Sequence, residues 1–288
     1  MQDALSKIPV IRNLAGWYAR KYAPVYLVSF PKCGRTWLRV MLGKVLQEHF
    51  GAAGVGVLEV VEPKHRRRGF RGIKFIHDDS AHWKKPEELT ERKDRYRYKK
   101  VILLVRDPRD VIVSLYFEKH NRLSAYVNGE KKQYRDVAAR VEPFAGDLSS
   151  YLAQPVGGFD TILRFYQVWD QNRDVPDELL LVRYEDVHED PAGELRRIVD
   201  FIGLNGVSDG TIRTAAGFAA FDNMHRMEKE NGFHSASLRP ADAGASESYK
   251  TRKGKVGGYI EYLSPEETLR LTARMREVLA GTFGYGGD

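Results

Sequence analysis

Cysteine is nearly absent from this chain of 288 residues, which contains only Cys33. One thiol can form neither an intramolecular disulfide nor a cysteine-based zinc site, and such sparse use is typical of a reducing compartment. A chain of this length can bury a large core, so it needs no covalent or metal cross-link to fold. The sequence therefore predicts a domain stabilised by its hydrophobic core.

Long apolar runs are also missing, since no window approaches the roughly 18 consecutive apolar residues of a membrane-spanning helix. The first 24 residues contain only short apolar pieces, interrupted by Arg12, Arg20 and Lys21, and they lack the apolar core of a secretory signal. We interpret residues 1–24 as a helical lead-in, and we expect a cytoplasmic protein with no membrane contact.

Basic residues outnumber acidic ones, 46 to 39, which gives a net charge of +7. Such an excess favours an anionic partner: a nucleic acid, a membrane surface, a nucleotide or an acidic substrate. The net charge alone does not distinguish among these partners.

Short β-branched runs alternate with helical periodicity along the chain. Strand candidates lie at 25–30, 73–76, 101–105 and 179–182. Between and after them, apolar residues recur at helical spacing, as at Leu38, Met41, Leu42 and Val45. This alternation predicts one α/β domain over residues 25–288, with a central parallel β-sheet flanked by helices. The stretch from about 205 to 258 is predicted to be a mobile lid or substrate loop.

The first candidate site is the turn between the first strand and its helix, Pro31 to Gly34. A strand-to-helix turn directs backbone N–H groups and a helix N-terminus at a bound anion. Lys32 adds a charge, Gly34 allows close backbone approach, and Thr36 offers a hydroxyl. The turn is P-loop-like, but the Walker A pattern G-x-x-x-x-G-K-[ST] does not occur. The alternative is a plain connection.

The second candidate has the same geometry after the strand at 101–105. Arg106 stands at the strand end, and Ser114 lies about two helical turns further on. Two such junctions in one parallel sheet could hold two phosphates of one ligand. The alternative is that Arg106 and Arg109 only pair with Asp107 and Asp110.

The third candidate is the basic segment from Thr251 to Lys255, which follows a loose stretch rich in Ala, Ser and Gly. Cations beside a glycine suit a lid that closes over an anion. The alternative is a solvated run of charge.

Together the three elements resemble the PAPS-dependent sulfotransferases, which transfer a sulfuryl group from 3′-phosphoadenosine 5′-phosphosulfate. The family's loop P-K-[ST]-G-[ST]-T-W-L stands here as PKCGRTWL, and its Arg with a Ser eight residues later is matched by Arg106 and Ser114. Its C-terminal R-K-G-x-x-G is matched by Arg252, Lys253, Gly254 and Gly257. The resemblance runs from about Val25 to Tyr285.

The resemblance implies a sulfotransferase or nucleotide-kinase-like fold and an in-line transfer to a hydroxyl or amine of a small-molecule acceptor. PAP is then the product, and no metal is required. Lys32 would stabilise the leaving bisphosphate. His77 would act as general base, with His82 as the less favoured alternative, and Asp78 and Asp79 would either orient its ring or begin the next turn.

The resemblance also implies a set of donor-binding residues. They are Lys32, Cys33, Gly34, Arg35, Thr36, Trp37, Arg106, Ser114, Tyr184, Phe221, Arg252, Lys253 and Gly254. Two of them depart from the family pattern, because Cys33 and Arg35 stand where small hydroxyl residues are usual. A thiol at a helix N-terminus beside Lys32 could have a lowered pKa, so we hypothesise that Cys33 is sensitive to oxidation.

The dimerisation signature of the cytosolic branch, K-x-x-x-T-V-x-x-x-E, is broken. Ile260, Ser264 and Pro265 stand in place of its Lys, Thr and Val. The oligomeric state therefore stays undecided.

The acceptor is the least defined part. The basic run Lys64 to Arg71 is either a solvated loop or a patch for an anionic acceptor, and an aromatic set is either an acceptor wall or core. That set comprises Tyr116, Phe117, Tyr126, Phe144 and Tyr151. Two other functions remain open, a P-loop-type kinase and a basic nucleic-acid-binding protein. We expect an aromatic or anionic small-molecule acceptor and no nucleic acid.

Overall fold

The computed structural model describes residues 9–67, 69–122, 144–233, 238, 244, 249–279 and 281–286. Within them, one parallel sheet has the strand order β2-β1-β3-β4. The strands are β1 (Val25–Ser29), β2 (Ile73–Ile76), β3 (Lys100–Val105) and β4 (Glu178–Arg183). All four predicted strands and the predicted α/β class are confirmed.

Helices follow the strands as the apolar spacing predicts. They are α1 (Pro9–Tyr22), α2 (Arg35–Phe50), α3 (Pro108–Phe117), α4 (Leu148–Leu152), α5 (Phe159–Gln171), α6 (Tyr184–Glu189), α7 (Pro191–Phe201), α8 (Asp209–Phe218), α9 (Phe221–Lys229) and α10 (Pro265–Leu279). A π-helical turn, Glu118–Arg122, continues α3. Asp107 caps α3 by accepting a hydrogen bond from the Arg109 N–H at 2.8 Å.

The core lies on both sides of the two central strands. Nearly every residue of β1 and β3 is buried, as expected for a parallel sheet covered on both faces. The chain moves from β1 to β2 through α2, and from β3 to β4 in the opposite direction through α3 and α5. Right-handed crossovers in opposite directions place the two groups of helices on opposite faces.

The reversal of direction creates a crevice between β1 and β3. Ser29 is in register with Leu104, so the two strands end side by side. In open α/β sheets, ligands bind at such a switch point, beyond the carboxyl ends of the strands. Both predicted phosphate turns therefore reach the same edge of the sheet.

The segment predicted to be a loop from about 205 to 258 begins with regular structure. It contains α8, which Ser208 caps by accepting the Thr211 N–H at 3.0 Å, and then α9. Most of residues 234–248 lie outside the described residues. None of the helices that the structure describes is long and apolar enough to cross a membrane.

Candidate active site

A cavity of about 560 Å³ opens at the carboxyl ends of β1 and β3. It is lined by every residue predicted to bind the donor or to act in catalysis, with the exception of Cys33. These lining residues are Lys32, Gly34, Arg35, Thr36, Trp37, His77, Arg106, Ser114, Tyr184, Phe221, Arg252, Lys253 and Gly254. The fold thus brings together residues that are more than 200 positions apart in the sequence.

The turn after β1 has a backbone shaped for an anion. Lys32 and Gly34 both have left-handed conformations, with φ of 72° and 93°. Alternating backbone of this kind points successive N–H groups into a concavity, and a non-glycine residue held there is strained. The Arg106 guanidinium braces the turn by donating to the Lys32 carbonyl at 3.2 Å.

Glycine is required at position 34 for a second reason. A Cβ atom there would lie 2.6 Å from Cδ2 of Tyr184, which is closer than carbon atoms approach. The Tyr184 ring therefore packs directly on the turn and closes one side of the cavity.

Cys33 belongs to the core rather than to the cavity. Its side chain is fully buried, and Sγ lies 3.7 Å from Oη of Tyr166. Burial raises the pKa of the thiol to about 12, because it outweighs the hydrogen bond to Tyr166 and the charges of Arg106 and Arg35. The predicted lowering of the Cys33 pKa is wrong, because the thiol is buried in the interior beside Tyr166.

The second turn shows both features that its sequence allows, local ion pairs and an arginine that lines the cavity. Arg106 lies 3.4 Å from Asp110, and Arg109 pairs with Asp107 at 2.6 Å. Arg106 nevertheless lines the cavity, with its guanidinium carbon 4.3 Å from the centroid of the Tyr184 ring. Arg106 therefore pairs locally and also lines the cavity, as Asp110 does.

The basic segment is tied to the rest of the site by two buried carboxylates. Asp110 accepts the N–H groups of Gly257 and Tyr259, both at 2.9 Å. Glu228, on α9, accepts the N–H and the hydroxyl of Thr251, at 2.9 and 2.7 Å. The Asp110 bonds fix the third predicted element beside the second, and the Glu228 bonds fix it to α9.

The cations of that segment have partners in this structure. The guanidinium of Arg252 lies 4.2 Å from the centroid of Phe117 and donates to Oη of Tyr262. Lys253 forms an ion pair with Glu261. The segment is therefore not a freely solvated run of charge, although Lys253 faces solvent on one side.

Aromatic rings form a slot beside the first turn. The Trp37 ring lies 5.6 Å from the Tyr184 ring, edge to face, and its Nε1 donates to the Ala219 carbonyl at 2.8 Å. Phe221 is 41% exposed, and a Cβ at Gly254 would lie 2.5 Å from its Cδ2. The slot suits a flat, apolar ring system such as a nucleobase.

His77 stands directly after β2, with Nδ1 3.1 Å from the Ser29 carbonyl. Since a carbonyl only accepts hydrogen bonds, Nδ1 carries the proton and Nε2 carries the free lone pair. Burial, reinforced by the nearby charge of Arg35, holds the pKa of His77 well below its usual range. The imidazole is therefore neutral and available as a base.

The two aspartates after His77 do not orient its ring. Asp78 is buried and pairs with Lys93 at 2.8 Å, and it also accepts from Oη of Tyr96 at 2.7 Å. Asp79 pairs with Lys84 at 2.5 Å. Both residues begin the next turn, which was the other alternative.

Among the cavity residues that the sequence interpretation did not single out are Trp83, Glu118 and Lys119. Glu118 Oε2 lies 2.7 Å from Nζ of Lys32, so the predicted catalytic lysine has a carboxylate partner. One signal was available, because Glu118 follows Ser114 by four residues and thus shares its helix face.

Neither sequence-based suggestion for the acceptor is supported. The run Lys64 to Arg71 precedes Gly72, whose carbonyl accepts from Val25 at the amino end of β1, opposite the cavity. Lys64 there pairs with Glu62 at 3.3 Å, and Arg68 lies outside the described residues.

The aromatic set packs as core. The Tyr151 ring is buried and lies 5.7 Å from Tyr116 and 5.0 Å from Phe144. None of the four members that the structure describes lines the cavity, and Tyr126 falls outside the described residues.

Comparison with known proteins identifies the family. A family model described as a sulfotransferase domain matches residues 23–283. The chain belongs to the sulfotransferase family. This sulfotransferase is therefore a transferase of the EC 2.8.2 type, which decides among the three functions that the sequence left open.

Its relatives are distant. Cytosolic sulfotransferase 16 of Arabidopsis thaliana is 23% identical over 279 residues, which cover 88% of this chain and 75% of that protein. Mouse sulfotransferase SULT7A1, solved in complex with PAP, matches with a TM-score of 0.55 and 19% identity over 90% of this chain and 86% of that one. Retinol dehydratase, solved with retinol and PAP, matches with a TM-score of 0.58 and 17% identity over 96% and 87%. These two structures share the fold.

Proposed function

We propose that this sulfotransferase moves a sulfuryl group from PAPS to a hydroxyl or amine of a small-molecule acceptor and releases PAP. The observation that carries the proposal is the convergence of two strand-to-helix turns and a basic segment on one cavity, beside an aromatic slot. The fold relatives solved in complex with PAP support the choice of donor.

We assign the parts of the donor to the parts of the cavity by their chemistry. The strained turn, with its N–H groups and the start of α2, suits the 5′-phosphosulfate. The aromatic slot of Trp37, Tyr184 and Phe221 suits the adenine. The remaining polar groups suit the 3′-phosphate, and they are Arg106, Ser114, Arg252, Lys253 and the backbone of Gly254. We call this part of the cavity the donor end.

The acceptor then occupies the part lined by His77, His82, Trp83, Glu118 and Lys119, which we call the acceptor end. The acceptor hydroxyl loses its proton to Nε2 of His77 as its oxygen forms a bond to sulfur. The bond between sulfur and the bridging oxygen breaks, and its electron pair leaves with PAP. A neutral histidine whose Nδ1 is fixed by a carbonyl fits this role.

Lys32 lies between the two ends. Its ammonium pairs with Glu118 in the structure and is only 12% exposed. During transfer, negative charge develops on the bridging oxygen, and a cation beside that atom stabilises it. Lys32 therefore exchanges the Glu118 carboxylate for the donor when PAPS binds.

The experiment is a transfer assay with labelled PAPS and a panel of phenols, combined with titration of PAP and AMP. PAP carries the 3′-phosphate and AMP does not, so wild type should bind PAP more tightly. Arg252→Met should reduce that preference about tenfold, as expected for a charged hydrogen bond to phosphate. Arg270→Met, at an exposed position of α10, is the matched control. Equal affinity of wild type for PAP and AMP, with no transfer to any phenol, would overturn the proposal.

A further inference from the structure

Two cations that line the cavity, Lys119 at the acceptor end and Arg35 after the first turn, have no carboxylate partner among the residues that the structure describes. Arg35 and Lys119 both line the cavity, and neither forms an ion pair or a hydrogen bond through its side chain there. The nearby carboxylate, Glu118, pairs with Lys32. Lys250 also lines the cavity and its charge acts on His77, so positive charge predominates around this part of the cavity.

Lys119 is the more unusual of the two. It is only 8% exposed, and its Nζ lies 5.0 Å from the centroid of Trp83 and 5.4 Å from that of Tyr151. Burial lowers its pKa to about 8, so the amine is still mainly charged at neutral pH. A buried ammonium without a counter-ion is costly to the folded protein, and an anionic ligand would offset that cost.

Both cations act on the histidine that lies beside the general base. Burial and the charges of both Lys119 and Arg35 lower the pKa of His82 to about 3. The His82 ring is 5.6 Å from that of His77, and its Nδ1 is buried with no hydrogen-bond partner. Lys119 and Arg35 therefore both lie close to a polar pocket next to the general base.

We infer that the acceptor carries an anionic group, such as a carboxylate, sulfonate or phosphate, that binds Lys119 with support from Arg35 while its hydroxyl faces His77. This inference rests on the proposed function. It gives the acceptor two features: a nucleophilic hydroxyl and a negative charge, joined by a part that contacts the Trp83 ring. The cation that favours an anionic acceptor is thus not in the basic run Lys64 to Arg71.

The test compares two phenols that differ only in charge, 3-(4-hydroxyphenyl)propanoate and its amide. Wild type should use the acid with a kcat/KM about ten- to a hundredfold higher than that of the amide, which is the range for a charged hydrogen bond. Lys119→Met, which keeps the length of the side chain, should bring the ratio close to one. Lys64→Met, at the opposite end of the sheet, should leave it unchanged. A ratio near one in wild type, or an unchanged high ratio in Lys119→Met, would overturn the inference.

A second measurement separates this inference from the proposed function. 3-Phenylpropanoate and 3-phenylpropanamide lack the hydroxyl, so their binding to wild type and Lys119→Met can be titrated without turnover, with and without PAP. Tighter binding of the acid that is lost in Lys119→Met supports the anion site even in a protein that transfers no sulfuryl group. Equal binding of both compounds to wild type contradicts the site. Thermal unfolding of Lys119→Met checks that the variant is folded, so that a change in binding can be assigned to the lost ammonium.

Discussion

The two ends of the cavity differ in how their charges are balanced. At the donor end, Arg106 has Asp110 at 3.4 Å and Lys253 has Glu261 as partner, so the cations are held in place before a phosphate arrives. At the acceptor end, the histidines are neutral, and no carboxylate among the described residues pairs with the buried ammonium of Lys119. The donor end is thus preorganised, which lowers the entropy cost of binding, whereas the acceptor end holds unfavourable charge that a substrate relieves.

The largest effect is expected from removing the base at the acceptor end. His77→Ala should lower kcat by about 10²- to 10⁴-fold, the usual contribution of a general base. Binding of PAP should change little, since the ring contacts Ser29 and His82 rather than the basic segment. Steady-state turnover and PAP titration measure the two quantities separately.

His82→Ala is the matched control, because His82 lies beside His77 and its pKa is also depressed. It should retain most of the wild-type kcat. If His82→Ala loses the activity and His77→Ala keeps it, the two assignments must be exchanged.

The second-largest effect is expected from Lys32, which lies between the donor end and the acceptor end. Lys32→Met should lower kcat by about 10²- to 10³-fold, as removal of one preorganised charge-stabilising group does. Its effect on PAP affinity should be much smaller, because Lys32 acts on charge that develops only during transfer. An equal loss of kcat and of PAP affinity would show that Lys32 acts only in binding the donor.

The donor end could be predicted from the sequence because its parts are local. PKCGRTWL and the spacing of Arg106 and Ser114 each describe one strand-to-helix junction, and a parallel sheet then places both junctions at one edge. Of the acceptor end, only His77 and His82 could be named from the sequence. Trp83 and Lys119 belong to different elements that meet only in the folded chain, and the direction of a side chain such as Cys33 depends on packing. The excess of charge was visible in the composition, but which cation lacks a partner is a property of the fold.

The third prediction tests the backbone of the donor end. Gly34→Ala introduces a side chain at a φ of 93° and only 2.6 Å from the Tyr184 ring. We expect a loss of about 1–3 kcal/mol in the free energy of unfolding, since the backbone is strained and the ring must move. PAP affinity should fall about tenfold as the turn is distorted, as when one charged hydrogen bond is lost.

Gly51→Ala provides a matched comparison for this effect. Gly51 also has a left-handed φ, of 61°, but a Cβ there would meet no atom within 4 Å. Gly51→Ala should lower the free energy of unfolding by only the cost of the left-handed backbone conformation, about 1 kcal/mol, and should bind PAP normally. Equal losses in both variants would mean that contact with Tyr184 contributes nothing.

The fourth prediction concerns pH and belongs to the acceptor end. The pKa of His82 is about 3 in the folded protein and near 6.5 in the unfolded chain. When the pH falls below 6.5, the unfolded chain therefore takes up a proton at His82 that the folded protein does not. The contribution of His82 to the free energy of unfolding is therefore fully present above pH 6.5 and is lost as the pH drops toward 3. Lowering the pH from 7.5 to 5.5 should reduce the free energy of unfolding by about 1.4 kcal/mol through His82 alone. Urea unfolding at the two pH values should show a smaller difference in His82→Gln, and an unchanged difference would exclude His82 as the source.

The smallest effect should come from Glu118→Gln, which connects the two ends. Lys32 gives up its contact with Glu118 when PAPS binds, so removing the carboxylate charge should raise PAP affinity, by about two- to fivefold for a partly exposed ion pair. The same change removes a negative charge close to His82, on which Arg35 and Lys119 also act, so the preference for the acidic phenol over its amide should rise as well. Glu277→Gln, on the exposed side of α10, controls for the general loss of negative charge. Weaker PAP binding in Glu118→Gln would show instead that the carboxylate positions Lys32 for the donor, and the two ends would then share one preorganised network.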